Sequence, residues 1–166
     1  MEQKNWNDKI QVKKGTYGEN LVKQYLHDNG YLLYTLDKPD IHPFDFLAVK
    51  KYDDLMFVEI KTKARMNKYY ATGIDTYRYN NYTHLFELYQ IPIFLFFVDE
   101  HPEEKRIYGN FLHILSRSGE VNGEIYPMIL KNITLFHLST MKDIIRLSDS
   151  DCAILQKYST RTHNYE

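Results

Sequence analysis

The stretch that decides the fold covers residues 42–65 and reads HPFDFLAVKKYDDLMFVEIKTKAR. Apolar residues flank a short Asp-rich segment, Lys51-Tyr52-Asp53-Asp54, which predicts two strands joined by a tight turn. The predicted first strand carries Asp45, and the second carries Glu59 and Lys61. If the two strands pair as a hairpin, one edge of the sheet holds two carboxylates and an ammonium close together.

The alternation of side chains assigns these residues to faces. In the first strand, Asp45 is predicted to point away from Phe44 and Phe46, because successive side chains of a strand alternate. In the second strand, Glu59 and Lys61 share one face. Charged groups are rarely placed on a half-buried strand without a partner, so this pattern indicates a functional site.

Two carboxylates on adjacent strands can hold a hard divalent cation such as Mg²⁺, which prefers oxygen ligands. The residues proposed for this role are Asp45 and Glu59, and the backbone carbonyl of Ile60 could add another oxygen. A bound metal would lower the pKa of a water and polarise a phosphate, with Lys61 as an electrostatic partner for the attacking water. The pattern therefore predicts phosphodiester hydrolysis.

The same charges have a purely structural interpretation. Lysines on an edge strand, as in Lys61-Thr62-Lys63, protect a sheet against aggregation. A cross-strand ion pair between Asp45 and Lys61 would be consistent with that interpretation as well.

Together, Asp45, Glu59 and Lys61 resemble the active-site hairpin of the PD-(D/E)XK nuclease superfamily, whose members have the restriction-endonuclease-like fold. The resemblance covers roughly residues 13 to 100, and the segment KKGTYGENLVKQYL ahead of the hairpin offers Glu19 as a further acid. It departs from the family pattern at Phe44, since the proline lies one place earlier. The implied fold class is α/β, with an αβββαβ order and a mixed central sheet flanked by helices.

The resemblance also implies an activity. It is that of a metal-dependent DNA endonuclease using Mg²⁺, or Mn²⁺, held by Asp45 and Glu59, with the Ile60 carbonyl and Glu19 assisting. Lys61 would position or activate the water. A homodimer is expected for cleavage of both strands or of a DNA junction, because one chain offers one such site.

Glu19 has two interpretations. The first helix is predicted to begin near Thr16 and to end at Asp28, ahead of Asn29-Gly30. Thr16 and Glu19 match a capping box, which would make Glu19 part of the helix start. A metal-facing role remains open beside it, because Glu19 lies on the side of the helix that carries Val22.

Other polar groups near the hairpin are weaker candidates. Asp40 is an alternative acidic ligand, and His42 a candidate general base, but both lie in a Pro-containing turn that favours solvation or a structural role. The segment of residues 99–104 contains His101 among acids, but its spacing matches no metal geometry, so it is predicted to be a solvated loop.

Basic residues interleaved with aromatics in residues 61–70 suit phosphate contact and base stacking, although a solvated loop would look similar. Residues 73–76 are predicted to be a loop entering a second helix over residues 77–89. The candidates for nucleic-acid contact are Lys13, Lys14, Lys63, Arg65, Lys68, Tyr77 and Arg78.

Composition sets outer limits. The chain of 166 residues is expected to form one domain over residues 1–166, with a core at 13–115 and an extension at 116–166. The net charge of −1 provides no global attraction to DNA, so binding would need a local basic patch. A single cysteine, Cys152, and no signal segment suggest the cytoplasm. The apolar run Ile91–Val98 is too short to span a membrane and is predicted to be a central strand.

Two rival functions remain open from the sequence. The first is a nucleic-acid-binding or assembly module of the same fold without catalysis. The second is an interaction protein of another fold that uses its many tyrosines as a contact surface.

Overall fold

The computed structural model describes residues 10–35, 44–51, 54–66, 68–101 and 104–158. The helices are α1 (Ile10–Asp28), α2 (Thr76–Tyr89), α3 (Leu112–Leu115) and α4 (Asp149–Lys157). The strands are β1 (Leu32–Tyr34), β2 (Phe46–Lys51), β3 (Asp54–Thr62), β4 (Ala71–Asp75), β5 (Ile93–Asp99), β6 (Arg106–Phe111), β7 (Gly119–Val121), β8 (Glu124–Tyr126), β9 (Met128–Leu130), β10 (Ile133–His137) and β11 (Lys142–Arg146).

A six-stranded mixed sheet in the order β1-β2-β3-β5-β6-β11 forms the centre of the fold. The β3–β5 pair is parallel, and the other neighbours are antiparallel. Within this sheet the chain follows the predicted αβββαβ order, from α1 to β5. The predicted fold class, α/β with a mixed central sheet flanked by helices, is therefore confirmed.

The sheet buries both of its faces. On one face, Val58 and Ile60 of β3 pack with Val22 and Leu26 of α1. On the other face, Tyr82 of α2 packs with three residues of β5, which are Ile93, Leu95 and Phe97. Burial on both sides explains why β5 is an unbroken apolar run, as predicted.

β3 is a central strand, with β2 on one side and β5 on the other. The structural interpretation of Lys61 and its neighbours as a protected sheet edge is therefore wrong. The lysines at the end of β3 need another explanation.

Helix α1 lies very close to the end of β3. A Cβ added to Gly18 would lie 1.9 Å from the Thr62 Oγ1, so the glycine permits a contact that any side chain would block. This close approach brings the next residue, Glu19, beside the carboxyl-terminal half of β3.

The start of α1 differs from the prediction. The helix begins at Ile10, so Thr16 lies in its interior and the predicted capping box of Thr16 and Glu19 is wrong. The earlier turns are held by tertiary contact, because the Lys14 ammonium pairs with the buried Glu100 at 3.0 Å. The helix ends at Asp28, as predicted, ahead of Gly30 at a φ of 81°.

Two small sheets, β4-β10-β9 and β7-β8, lie outside the main sheet. The predicted loop at residues 73–76 is wrong, because residues 71–75 form β4 and pair with all five residues of β10. That pairing was hidden from local sequence patterns, since the partner strand lies about sixty residues away. Residues 116–158 also supply β11, which completes the main sheet beside β6.

Candidate active site

Asp45 lies in a β-bulge at the point where β2 begins. Its amide donates to the Val58 carbonyl at 3.0 Å, while Phe46 is the residue opposite Val58 in the ladder. Two residues therefore oppose one, which defines a bulge. As a result Phe44 and Phe46 lie on different faces, with Phe44 stacked on Phe57 at 4.5 Å. The predicted alternation of Asp45 with both phenylalanines is wrong for this reason.

The bulge turns the Asp45 carboxylate back onto β3. Its Oδ2 accepts a hydrogen bond from the Ile60 amide at 2.6 Å. The amides of Phe57 and Lys63 donate to carbonyls of the β5 segment, so the odd-numbered positions of β3 face β5. Since the amide and carbonyl of a strand residue point the same way, the Ile60 carbonyl faces the side where Asp45 lies.

Glu59 is held by two cations. Its side chain is only 1% exposed, and its Oε1 accepts hydrogen bonds from Lys61 and, at 2.9 Å, from Arg78 Nη1. Arg78 also donates to the Tyr82 hydroxyl at 3.3 Å, which fixes the guanidinium against α2. A buried carboxylate is thus kept in place by one residue of its own strand and one of the helix above it.

The acids of this region share one electrostatic environment. Burial raises the pKa of Glu59 above its usual value, Asp45 raises it further, and Lys61 opposes the rise. Burial likewise raises the pKa of Asp45, opposed by the Ile60 amide and Lys61. The pKa of Glu19 is raised by burial and then by Asp45. Asp45 therefore acts on both Glu59 and Glu19, and the ionised forms of these acids are costly without a further cation.

The donor set fits a hard cation. It consists of the Asp45 and Glu59 carboxylates and the Ile60 carbonyl, and Mg²⁺ is commonly bound by one or two carboxylates plus water. Glu19 is half-exposed and lies 3.7 Å from Lys23. Across the described parts of the chain, no group of three or more His, Cys, Asp or Glu side chains is arranged to hold a metal, so Glu19 is not a preformed third ligand.

The predicted nucleic-acid contacts separate into different environments. Arg78 joins the carboxylates instead of facing solvent alone, and Tyr77 beside it is exposed. Lys14 is engaged with Glu100. Lys13 and Lys68 are exposed, Lys68 with its ammonium 5.0 Å from the Tyr69 ring centroid, and Lys63 is half-buried.

Arg65 is the clearest departure among these candidates. Its guanidinium is almost fully buried and pairs with Glu104 at 2.6 Å and with Asp99 at 3.9 Å. Asp99 also accepts from the His101 amide at 2.9 Å and from the Tyr108 hydroxyl at 3.0 Å. Arg65 is therefore engaged in buried ion pairs, an environment that differs from the exposed position expected of a phosphate contact.

The predicted solvated loop after β5 is wrong in its first half. Asp99, Glu100 and His101 are buried, because they close the end of the central strand against Arg65 and Lys14. The available sequence signal for the burial of these residues was an acid placed at the end of an apolar run that is predicted to be a central strand. The weaker candidates Asp40 and His42 lie outside the described residues.

The mixed sheet, its element order and the Asp45–Glu59–Lys61 hairpin agree with the restriction-endonuclease-like fold that the sequence resemblance implies. Among solved structures, the chain is similar to Hjc of Archaeoglobus fulgidus, a Holliday junction resolvase from an archaeal hyperthermophile. The two share 13% identity with a TM-score of 0.48, over 76% of this chain and 90% of that chain. No protein-family model matches the chain, and no curated protein matches it. No helix in the described ranges is long and apolar enough to cross a membrane.

Proposed function

We propose that this chain is a metal-dependent endonuclease that hydrolyses phosphodiester bonds in DNA. One observation carries the proposal most directly. The bulge at Asp45 folds its carboxylate onto the Ile60 amide, one residue away from the buried Glu59 and its partner Lys61. This contact between Asp45 and the residue that follows Glu59 is what supports a shared metal site.

In this proposal, Asp45, Glu59 and the Ile60 carbonyl hold Mg²⁺ or Mn²⁺, and Glu19 assists from α1. When bound, the metal supplies Lewis-acid stabilisation of the phosphate and a more acidic water. The chain's own contribution is a fixed set of oxygens, because the Ile60 amide orients Asp45 and the cations of Lys61 and Arg78 orient Glu59. Preorganised ligands lower the cost of reorganisation during the reaction.

Lys61 has a second task in the proposal. Its ammonium already lies beside Glu59 at the half-exposed end of β3, where a phosphodiester could approach. There it would orient the attacking water and offset the charge that builds up on the phosphate oxygens. A water oxygen forms the new bond to phosphorus and loses a proton to solvent, while the bond from phosphorus to one bridging oxygen breaks and that oxygen takes a proton from solvent to leave as a hydroxyl.

Arg78 is proposed to position Glu59 and not to act as a direct DNA contact. The carboxylate takes two hydrogen bonds on the same oxygen, one of them from the first turn of α2. Without Arg78, Lys61 would be the remaining one of these two cations to hold the buried Glu59 carboxylate.

DNA binding is proposed for residues near the end of β3 and at the starts of α1 and α2. Once the ion-paired Lys14, Arg65 and Arg78 are set aside, the remaining candidates are Lys13, Lys63, Lys68 and Tyr77. Since the net charge is −1, the affinity must come from local contacts and should fall steeply with added salt. A homodimer would supply two sites for cleavage of both strands or of a branched junction.

A plasmid-nicking assay combined with calorimetric titration of Mg²⁺ tests the proposal. Asp45→Asn and Glu59→Gln should each abolish nicking and lower metal affinity while the chain stays folded. Asp28→Asn, an exposed acid at the end of α1, is the matched control and should nick at the wild-type rate.

The outcomes separate the proposal from its rival. Cleavage by either site variant at the wild-type rate would show that the site is misassigned. A wild-type protein that binds DNA but neither nicks it nor binds Mg²⁺ would identify a non-catalytic module of the same fold. Lys61 and Arg78 neutralise Glu59, and this observation favours the rival function of a non-catalytic module.

A further inference from the structure

A cleft lies between the main sheet and the small β4-β10-β9 sheet. Its volume is about 300 Å³, and its walls include Tyr70, Tyr108, Leu138, Ser139 and Asp143. This volume is at the lower end of the range of small-ligand sites, about 300–1,000 Å³, and suits one flat ring better than a large ligand. The walls combine aromatic and apolar surface with a hydroxyl and a carboxylate.

The cleft is close to the proposed active site. Lys61, Phe97 and Tyr108 are successive partners across β3, β5 and β6. Neighbouring strands are about 4.8 Å apart, so the backbone of Tyr108 lies about 10 Å from that of Lys61. Bases in a duplex are spaced about 3.4 Å along one strand, so the cleft lies about two or three nucleotides from a phosphate bound at Lys61.

Tyr70 provides a rigid aromatic wall. It has a φ of 44°, a conformation that residues other than glycine rarely adopt, and its side chain is 42% exposed. The Tyr70 carbonyl accepts from the Leu138 amide at 3.0 Å, which fixes the backbone. The Arg65 guanidinium lies 5.1 Å from the ring centroid, and the His137 ring lies 5.7 Å away. An exposed aromatic held in a strained backbone is typical of a binding position.

The charges at the cleft favour a neutral ring over a phosphate. Arg106 is already paired with Glu104 at 2.8 Å and with both oxygens of Asp143, at 3.0 and 2.8 Å. The Asp143 side chain is 72% exposed, so the carboxylate that pairs with Arg106 also faces the opening. A carboxylate repels phosphate but accepts hydrogen bonds from the amino groups of bases.

We propose that this cleft binds one unstacked nucleobase of the DNA strand that is cut, with the base stacked on Tyr70 and its edge facing Ser139 and Asp143. The assignment rests on the proposed nuclease function and extends it to a substrate class. The preferred DNA carries an unpaired base two or three nucleotides from the scissile phosphate, as at a branch point or flap.

The test compares cleavage of two DNA duplexes by the full chain. One duplex is fully paired, and the other carries a single unpaired base at a position scanned from one to four nucleotides from the cut. Tyr70→Ala should lower cleavage efficiency on the best unpaired substrate by about 5- to 150-fold, the range expected from stacking of one base. The fully paired duplex should change less than about 2-fold, because its bases stay stacked.

Three comparisons make the result specific. Tyr70→Phe should retain wild-type cleavage, and Tyr70→Asn should behave like Tyr70→Ala while tolerating the left-handed backbone. Tyr89→Ala removes another exposed tyrosine, at the end of α2, and should have no effect. An abasic nucleotide at the sensitive position should make wild type and Tyr70→Ala equal, because no ring remains to stack.

Two negative outcomes differ in meaning. A wild-type enzyme that nicks DNA, together with a Tyr70→Ala variant that loses activity equally on both duplexes, would overturn the base-binding cleft alone. A wild-type chain that neither nicks any substrate nor binds Mg²⁺ would overturn the nuclease proposal itself and the cleft with it.

Discussion

The contact between Gly18 of α1 and Thr62 of β3 can be tested with a single methyl group. In Gly18→Ala, the new Cβ would lie 1.9 Å from the Thr62 Oγ1 and 3.1 Å from its Cβ. Rotating the hydroxyl would not relieve the clash, because the Thr62 Cγ2 is also within 3.2 Å. The helix would have to move away from β3 and would carry Glu19 with it.

The expected magnitude follows from two opposing effects. Alanine stabilises a helix interior by about 0.5–1 kcal/mol relative to glycine. Overpacking a close contact costs about 1–3 kcal/mol. We therefore expect Gly18→Ala to lower the free energy of unfolding by about 1–2 kcal/mol.

Gly15→Ala is the matched control on the same helix. No atom in the described parts of the chain lies within 4 Å of a Cβ at Gly15, so the substitution should stabilise the protein by about 0.4–1 kcal/mol. Urea unfolding at equilibrium measures both changes. The double variant Gly18→Ala/Thr62→Ala should recover part of the loss, since the Thr62 hydroxyl has no hydrogen-bond partner among the described residues.

The reasoning would be refuted by two results. Equal stability of Gly18→Ala and wild type would mean that α1 does not approach β3 as described. Destabilisation of Gly15→Ala by the same amount as Gly18→Ala would point to a general intolerance of this helix and not to the contact with Thr62.

Three further predictions concern the charged groups. Arg78→Ala should strengthen Mg²⁺ binding, because one of the two cations on Glu59 is removed. The same variant should slow single-turnover cleavage, because the Glu59 carboxylate is less firmly held. Weaker Mg²⁺ binding at an unchanged cleavage rate would contradict this prediction. Arg65→Met should cost about 3–5 kcal/mol in urea unfolding, because Asp99 loses its buried cation. Lys105→Met, whose partner Asp149 is exposed, should leave the free energy of unfolding almost unchanged. Because folding raises the pKa of Asp45, the protonated form of Asp45 favours the folded chain. This stabilising contribution is complete below the ordinary carboxyl pKa of about 4 and is lost as the pH rises through the raised pKa. Metal-free Asp45→Asn should therefore be more stable than wild type near neutral pH, with the gap closing on acidification, and a pH-independent gap would argue against a buried ionised carboxyl.

The parts of the fold that were predictable have local signals. The hairpin of β2 and β3 follows from alternation around an Asp-rich turn, and β5 follows from its apolar run. The end of α1 follows from Gly30. In each case the pattern and the observed element lie in the same few residues.

The parts that were missed depend on distant partners. The early start of α1 depends on Glu100, and β4 depends on β10. The bulge at Asp45 adds one residue opposite Val58, and simple alternation cannot reveal it because the extra residue is defined only by its pairing with β3. The sequence predicted that Asp45 and Lys61 lie near Glu59. It did not predict the hydrogen bond that Arg78 donates to Glu59.

The pairing of β4 with β10 has a consequence for synthesis of the chain. β4 connects the strand bearing Lys61 to the helix bearing Arg78, and among the described strands it pairs only with residues 133–137. A nascent chain that has not yet reached His137 therefore lacks the segment that sets the spacing between these two cations. A product that terminates before this segment would carry the hairpin without the strand pairing that sets the arrangement of charges around the proposed site.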